Sequence, residues 1–304
     1  MNKQTLLAIL LACTASFFWA ANAIVGKIVV ATLPAFTLSQ FRWLLAFAIL
    51  IPFGLSKIIA QISWYKANFW PLVGLSILSV TLYNTLQYWA LEYTQPVNVG
   101  AFLAMLPVFI AIVSSLFGGI KQSLTQWLTF SIAVFGALLV VTKGQWTMLG
   151  ESGAGVGELL LVVAMLSWSF YTVLLKKLRP QGISSVGMLS FFMGVGTLFI
   201  LPFWGYDIVS SGAMTYPTKD ILWAIVFVAI FPSIVSYFCW ITAVNLSNAT
   251  IAGLMITTAP LFNALLSLWV LNQTVSGMQW LGIAIVIIGV SATLILSRTL
   301  TKSA

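Results

Sequence analysis

Ten apolar stretches follow one another through the 304 residues with only short polar breaks between them, and each is about as long as a helical bilayer crossing requires. A hydrocarbon core roughly 30 Å thick takes about 20 residues of helix rising about 1.5 Å per residue. The stretches cover 5–25, 35–55, 69–91, 96–118, 126–142, 156–176, 184–204, 220–244, 249–271 and 278–297. The breaks at Leu33-Pro34, Gln95-Pro96, Gly118-Gly119, Gly150 to Gly157 and Tyr216-Pro217 are ordinary turn chemistry. With 61% hydrophobic and 6% charged residues, the chain has too little polar surface to coat a soluble globule. The sequence predicts an all-α membrane protein of ten transmembrane helices with no room for a soluble domain.

The net charge of +8 does not point to nucleic acid, because the basic residues sit singly or in twos and threes beside apolar runs, as topology signals do. With the N-terminus in the cytoplasm, Lys27, Arg42, Lys143 and Lys219 fall outside and the other nine of the 13 basic residues inside. Both termini are therefore expected to be cytoplasmic, in a bacterial inner membrane. Glu92, Glu151, Glu158, Asp207 and Asp220 then all lie toward the outer side. Cys13 and Cys239 lie within apolar stretches, so no disulfide framework is indicated, and the absence of histidine removes the commonest metal ligand and proton shuttle. No cofactor, metal or catalytic residue is expected. The expected partners are a small-molecule substrate and membrane lipids, with the chain a monomer or weak homodimer.

An internal repeat turns the list of helices into an architecture. Trp19 and Lys27 match Trp168 and Lys176 at equal spacing, and Ile49 to Phe53 matches Phe199 to Phe203. At one constant offset Gly100, Pro107, Phe109, Gln126-Trp127-Leu128 and Gly136 match Gly253, Pro260, Phe262, Gln279-Trp280-Leu281 and Gly289. The copies occupy 1–145 and 153–298, and five helices per copy send the second into the bilayer from the opposite face. Two inverted five-helix repeats around a central cavity form the frame on which alternating-access transporters are built, with the binding site near the midplane.

The chain resembles the ten-helix EamA-type branch of the drug/metabolite transporter superfamily over nearly its whole length. The resemblance is carried by Phe18 to Asn22 with Lys27, Phe41 to Ala46, Gly157 to Leu160 with Ser167-Trp168, and the two Gln-Trp-Leu stretches with their following glycines. Leu271-Asn272-Gln273-Thr274 departs from the pattern, which often has an acidic residue there. The resemblance implies a basket in which the first, third, fourth, sixth, eighth and ninth helices line a cavity while the fifth and tenth pack outside. It implies transport of metabolites, amino acids or drugs, usually outward, without naming the cargo.

Polar and amphipathic side chains kept in mid-helix are the candidates for a binding site, because hydrocarbon penalises them. Trp19 and Asn22 come from the first helix, Tyr83 and Gln87 from the third, Met105 from the fourth, Trp168 and Tyr171 from the sixth, Ser236, Tyr237 and Trp240 from the eighth, and Met255 from the ninth. Serine and threonine in such helices more often serve as interhelical glue. The large rings, and the tryptophans matched across the repeat, suit a stacking cavity. Pro107, Pro260 and Pro232 predict kinks. Trp64, Trp70, Trp146, Trp223 and Trp280 are expected to be interfacial anchors. Arg42 is expected to snorkel to the outer interface or to pair with Glu92 or Glu158. With no carboxylate deep in a helix and no cation assigned to the cavity, the expected cargo is neutral, zwitterionic or aromatic, such as an amino acid. Drug efflux, a passive channel and an intramembrane enzyme are the alternatives.

Overall fold

A computed structural model describes residues 3–119, 122–145, 155–178, 182–246 and 255–302, apart from the side chains of 176, 244–245 and 293–302. Trp146, Gly150, Glu151 and Gly253 lie outside the described residues. Every regular element among the described residues is helical: α1 (Lys3–Val30), α2 (Ala35–Ala60), the short α3 (Ile62–Ala67), α4 (Phe69–Tyr93), α5 (Pro96–Ala104), α6 (Leu106–Phe117), α7 (Leu124–Thr142), α8 (Val156–Leu178) and α9 (Ser185–Ser211). They are followed by α10 (Lys219–Ile230, a π-turn at Phe231–Val235, then Ser236–Leu246), α11 (Ala259–Val270) and α12 (Gly277–Lys302). A second π-turn, Ile77–Leu82, lies inside α4.

Seven of these helices are long and apolar enough to cross a bilayer, eight when α5 and α6 count as one crossing bent by 45°. Ala259–Val270 and Gly277–Ala292 are apolar but shorter. The protein is therefore a multi-pass membrane protein. The bend between α5 and α6 falls at Met105, whose backbone sits at φ −79°, ψ −4°. Pro107 follows, with no N–H for the helix ladder and a ring that crowds the preceding turn. Thr258 takes nearly the same conformation, φ −78°, ψ −12°, just ahead of Pro260.

The helices pack in recurring pairs: α2 with α9, α7 with α12, α5 with α11, α1 with the second part of α10, and α4 with α8. Small residues set how closely they approach, because in a membrane tight van der Waals packing replaces the hydrophobic drive between helices. α1 buries Ala8, Ala12, Ala15, Ala20, Ala21 and Ala23. At the α7–α12 contact, a Cβ on Gly136 would stand 2.7 Å from the Val286 backbone nitrogen, and one on Gly289 2.8 Å from that of Ala133. Both helices open with a capping box. Gln126 N donates to Ser123 Oγ at 3.2 Å, with Ser123 N donating back to Gln126 Oε1 at 2.7 Å. Ser276 and Gln279 repeat this at 3.2 and 3.0 Å. Such a box satisfies two N–H groups that the helix cannot. Replacing Ser276 by Ala is expected to destabilise the protein by about 1 kcal/mol, a fall of about 3 °C in the detergent melting temperature. Melting indistinguishable from the wild type would show that the cap contributes nothing.

Pro34 at the start of α2 has no side-chain cap to offer. Carboxylates from two other helices take its place: Ala35 N donates to Glu92 Oε1 at 3.3 Å, and Thr37 N to Asp207 Oδ2 at 2.7 Å. Lys27 Nζ donates to the carbonyls of Leu91 at 2.6 Å and Thr94 at 3.0 Å, closing the end of α4. Anions at a helix N-terminus and a cation at a C-terminus both complement the helix dipole. Trp70 and Trp223, 77% and 67% exposed, sit near helix ends.

Candidate functional site

The two π-turns aim the central rings. The turn in α4 ends directly before Tyr83, and that in α10 ends directly before Ser236-Tyr237. A π-turn inserts a residue into the ladder and frees carbonyls for other donors, a distortion frequent at functional sites. Asn84 Nδ2 takes the carbonyl of Ser79 at 2.8 Å, and Trp19 Nε1 donates to the carbonyl of Pro232 at 3.2 Å. Trp19 on α1 is thereby tied to α10 at the point where α10 is distorted.

Six candidate residues form one connected set of rings. Trp168 lies 4.5 Å from Tyr83, 5.0 Å from Tyr171 and 6.2 Å from Tyr237, centroid to centroid. Tyr237 is also 6.2 Å from Trp19, edge to face, and Trp19 is 5.9 Å from Trp240. These separations fall in the range where aromatic pairs attract. The set sits between the two largest apolar clusters. Tyr83 is buried, while Trp19, Trp168, Tyr171, Tyr237 and Trp240 keep part of their surface accessible.

The remaining candidates divide. Asn22 accepts a 2.6 Å hydrogen bond from the hydroxyl of Tyr88, which is outside the ring set, and Gln87 Nε2 donates at 3.3 Å to the carbonyl of Tyr83, one of the ring residues. Ser236 is fully buried, with its hydroxyl 3.5 Å from the Ala15 carbonyl, a link between α10 and α1. Met255 meets Cys13 sulfur to sulfur at 3.5 Å and packs beside Trp240, at the edge of the set. Met105 is apart from it: 5% exposed, it packs with α7 and α12 residues such as Phe130 and Val286. None of the eleven candidates lines either of two clefts near helix ends. One of about 460 Å³ is bordered by Trp89, Glu92, Tyr206 and Asp207; the other, about 320 Å³, by Gln95, Lys143 and Gln273.

Arg42 overturns the sequence expectation. It neither snorkels nor pairs with Glu92 or Glu158, and it is 2% exposed. Its Nε donates to Ser233 Oγ at 2.8 Å, and its Nη1 donates to the Tyr88 hydroxyl at 2.8 Å and to Asn84 Oδ1 at 3.2 Å. Its guanidinium carbon stands 4.7 Å from the Trp43 ring centroid and 5.4 Å from that of Tyr88, within cation–π range. Glu92 is engaged at the start of α2, and Glu158 accepts from Thr94 and, at 2.9 Å, from Asn98. Sequence reasoning thus missed Arg42, Tyr88, Asn84 and Ser233 as one network. A signal was present: Arg42 lies seven residues past Ala35, about 10 Å along the helix and too deep for easy escape to the interface.

Comparison with known proteins agrees with this architecture. The sequence profile of the EamA-like transporter family matches residues 6–142 and, a second time, residues 155–295. An uncharacterized transporter of Archaeoglobus fulgidus is 28% identical over 300 residues, covering 96% of this chain and 98% of that one. The uncharacterized transporter YetK of Bacillus subtilis is 25% identical over 278 residues, covering 90% and 82%. A solved crystal structure aligns with a TM-score of 0.68 at 18% identity, covering 96% of this chain and 98% of its own, a likeness of fold alone. Matched twice along nearly its whole length, the chain belongs to the EamA-like transporter family.

Proposed function

We propose that the protein is a secondary transporter, exporter or facilitator, that moves a small neutral, zwitterionic or aromatic metabolite across a bacterial inner membrane by alternating access. The observation that carries this reading is that Trp19 and Trp168, which the sequence repeat matches, both approach Tyr237, each 6.2 Å from its ring. Rings drawn from both repeats separate or close as one bundle rocks against the other. Their partly open faces and polar tips suit a cargo held by stacking and hydrogen bonding. In this reading Trp19, Asn22, Tyr83, Gln87, Trp168, Tyr171, Tyr237 and Trp240 contact the cargo, with Met255 at the rim. Ser236 holds helices together, and Met105 has no place at the site.

The reading takes the chain as ten crossings in two halves, 1–145 and 153–298, inserted in opposite senses, with both termini cytoplasmic. The helix pairings support it. The pairs α2–α9 and α7–α12 each join an element to its repeat counterpart, α5–α11 joins the fourth stretch to the ninth, and α1–α10 and α4–α8 exchange under the same operation. In a Cys13→Ser, Cys239→Ser background, Thr218→Cys is expected to react with a membrane-impermeant thiol reagent added outside, and Ser56→Cys is not. The reverse pattern would overturn the orientation.

Transport itself is tested in proteoliposomes with labelled amino acids, nucleosides and cationic dyes. Saturable uptake, accelerated by unlabelled solute on the opposite side and without chemical change in the solute, is expected for an amino acid. Unsaturable flux without acceleration would mean a channel, and altered solute an enzyme. No flux across the panel would remove the support for transport of this cargo class.

A further inference from the structure

Arg42 is a buried cation whose hydrogen-bonding partners are all neutral. The three acceptors it meets are themselves fixed: the Ser233 hydroxyl donates to the Val228 carbonyl at 2.7 Å, the Tyr88 hydroxyl to Asn22, and the Asn84 amide to the Ser79 carbonyl. Each therefore turns a lone pair, not a proton, toward the guanidinium. Among the described residues no carboxylate forms an ion pair with Arg42; Glu92, Asp207 and Glu158 engage Ala35, Thr37, Thr94 and Asn98 instead. Of the five N–H donors of a guanidinium, Nε and Nη1 use three, and the two on Nη2 meet no acceptor among the described residues. A full charge held in a membrane interior without a counter-ion is costly, and a bound anion relieves that cost.

The network adjoins the rings at three points. Asn84 is next to Tyr83, Ser233 follows the Pro232 whose carbonyl holds Trp19, and Asn22 lies one turn beyond Trp19.

We propose that Arg42 anchors the carboxylate of the cargo through its free Nη2 donors, with the apolar part of the same molecule against the Trp168 and Tyr237 rings. The cargo is then a small monocarboxylate, zwitterionic or anionic, carrying an apolar or aromatic group. This rests on the transporter reading and narrows it. A merely structural Arg42, pinning α2 to α4 and α10, would make no distinction among cargoes.

The test compares phenylalanine with phenylalaninamide, which keeps the ring and the amine but lacks the carboxylate, in proteoliposomes of the wild type, Arg42→Lys and Arg42→Gln, with uridine as a solute without carboxylate. The wild type is expected to favour phenylalanine over its amide at least tenfold in the ratio of rate to half-saturating concentration. Arg42→Gln is expected to bring that ratio to about one, and Arg42→Lys to keep part of it. A wild-type ratio near one overturns the anchor without any variant having to fold, and so does a tenfold preference that survives in folded Arg42→Gln. Transport of uridine but of neither phenylalanine compound overturns the anchor and leaves the transporter reading standing. Transport of none of them, by protein that melts cooperatively, withdraws support from both.

Discussion

Replacing Gly136 by alanine is expected to lower the melting temperature of the detergent-purified protein by about 10 °C, and larger side chains there to eliminate folded protein. A Cβ at this position would stand 2.7 Å from the backbone nitrogen of Val286 and 2.8 Å from the carbonyl oxygen of Gly282. Backbone atoms on a neighbouring helix do not swing aside as the end of a side chain does, so the clash is relieved only by parting α7 from α12. Separating them opens the contact all along its length, because a Cβ on Gly282 would likewise stand 2.7 Å from the Gly136 carbonyl oxygen, and one on Gly289 2.8 Å from Ala133 N and 3.0 Å from the Thr129 carbonyl oxygen. Overpacking of this kind costs about 3 kcal/mol at the upper end of its usual range, and about 3 °C per kcal/mol gives the expected shift. Gly74 supplies the control: a Cβ there meets nothing within 4 Å, and Gly74→Ala in the interior of a helix should leave melting unchanged or slightly higher. Equal behaviour of the two variants would show that α7 and α12 tolerate separation and that the matched glycines do not set their distance.

The same glycines were legible as a pair in the sequence, since Gly136 and Gly289 follow their Gln-Trp-Leu stretches at the same spacing. Apolar run lengths and Pro or Gly breaks located most helices for the same reason: span length and backbone chemistry are local properties. What failed was face assignment. Met105 reads as a mid-helix site candidate, but it stands at the 45° break between α5 and α6, where the spacing of a straight helix no longer tells which face a residue shares. Phe102 belongs to the core beside the rings, whereas Met105 packs toward α7 and α12. Arg42 failed for a different reason. Its partners lie 42, 46 and 191 positions away, on two other helices, and only tertiary contact reveals that a polar pocket awaits it at that depth. The ring set was easier, because a large aromatic residue with a polar tip in mid-helix has few inexpensive positions apart from a cavity or a close helix contact.

Trp168→Ala is expected to raise the half-saturating concentration for phenylalanine about thirtyfold in the proteoliposome assay, a loss of about 2 kcal/mol of stacking at about 1.4 kcal/mol per tenfold. Trp168 is the hub of the set, with Tyr83, Tyr171 and Tyr237 all within 6.2 Å of its ring. Its removal therefore takes away a stacking face and also the support that holds three other rings at their angles. Trp168→Phe keeps a flat face at the same position and is expected to stay within about threefold of the wild type, at half or more of the contact area. Trp269, 79% exposed on α11, is the matched control for loss of an exposed indole outside the ring set, and Trp269→Ala should leave the constant unchanged. Folding is monitored by the melting temperature of each variant, so that a poorly folded protein is not counted as weak binding. Because Arg42 and Trp168 are assigned to opposite ends of one cargo, their effects separate by solute. Trp168→Ala should weaken phenylalanine far more than alanine, while Arg42→Gln should weaken both alike. If Trp168→Ala penalised alanine as heavily as phenylalanine, or neither, the ring would be shaping the bundle and not the cargo site.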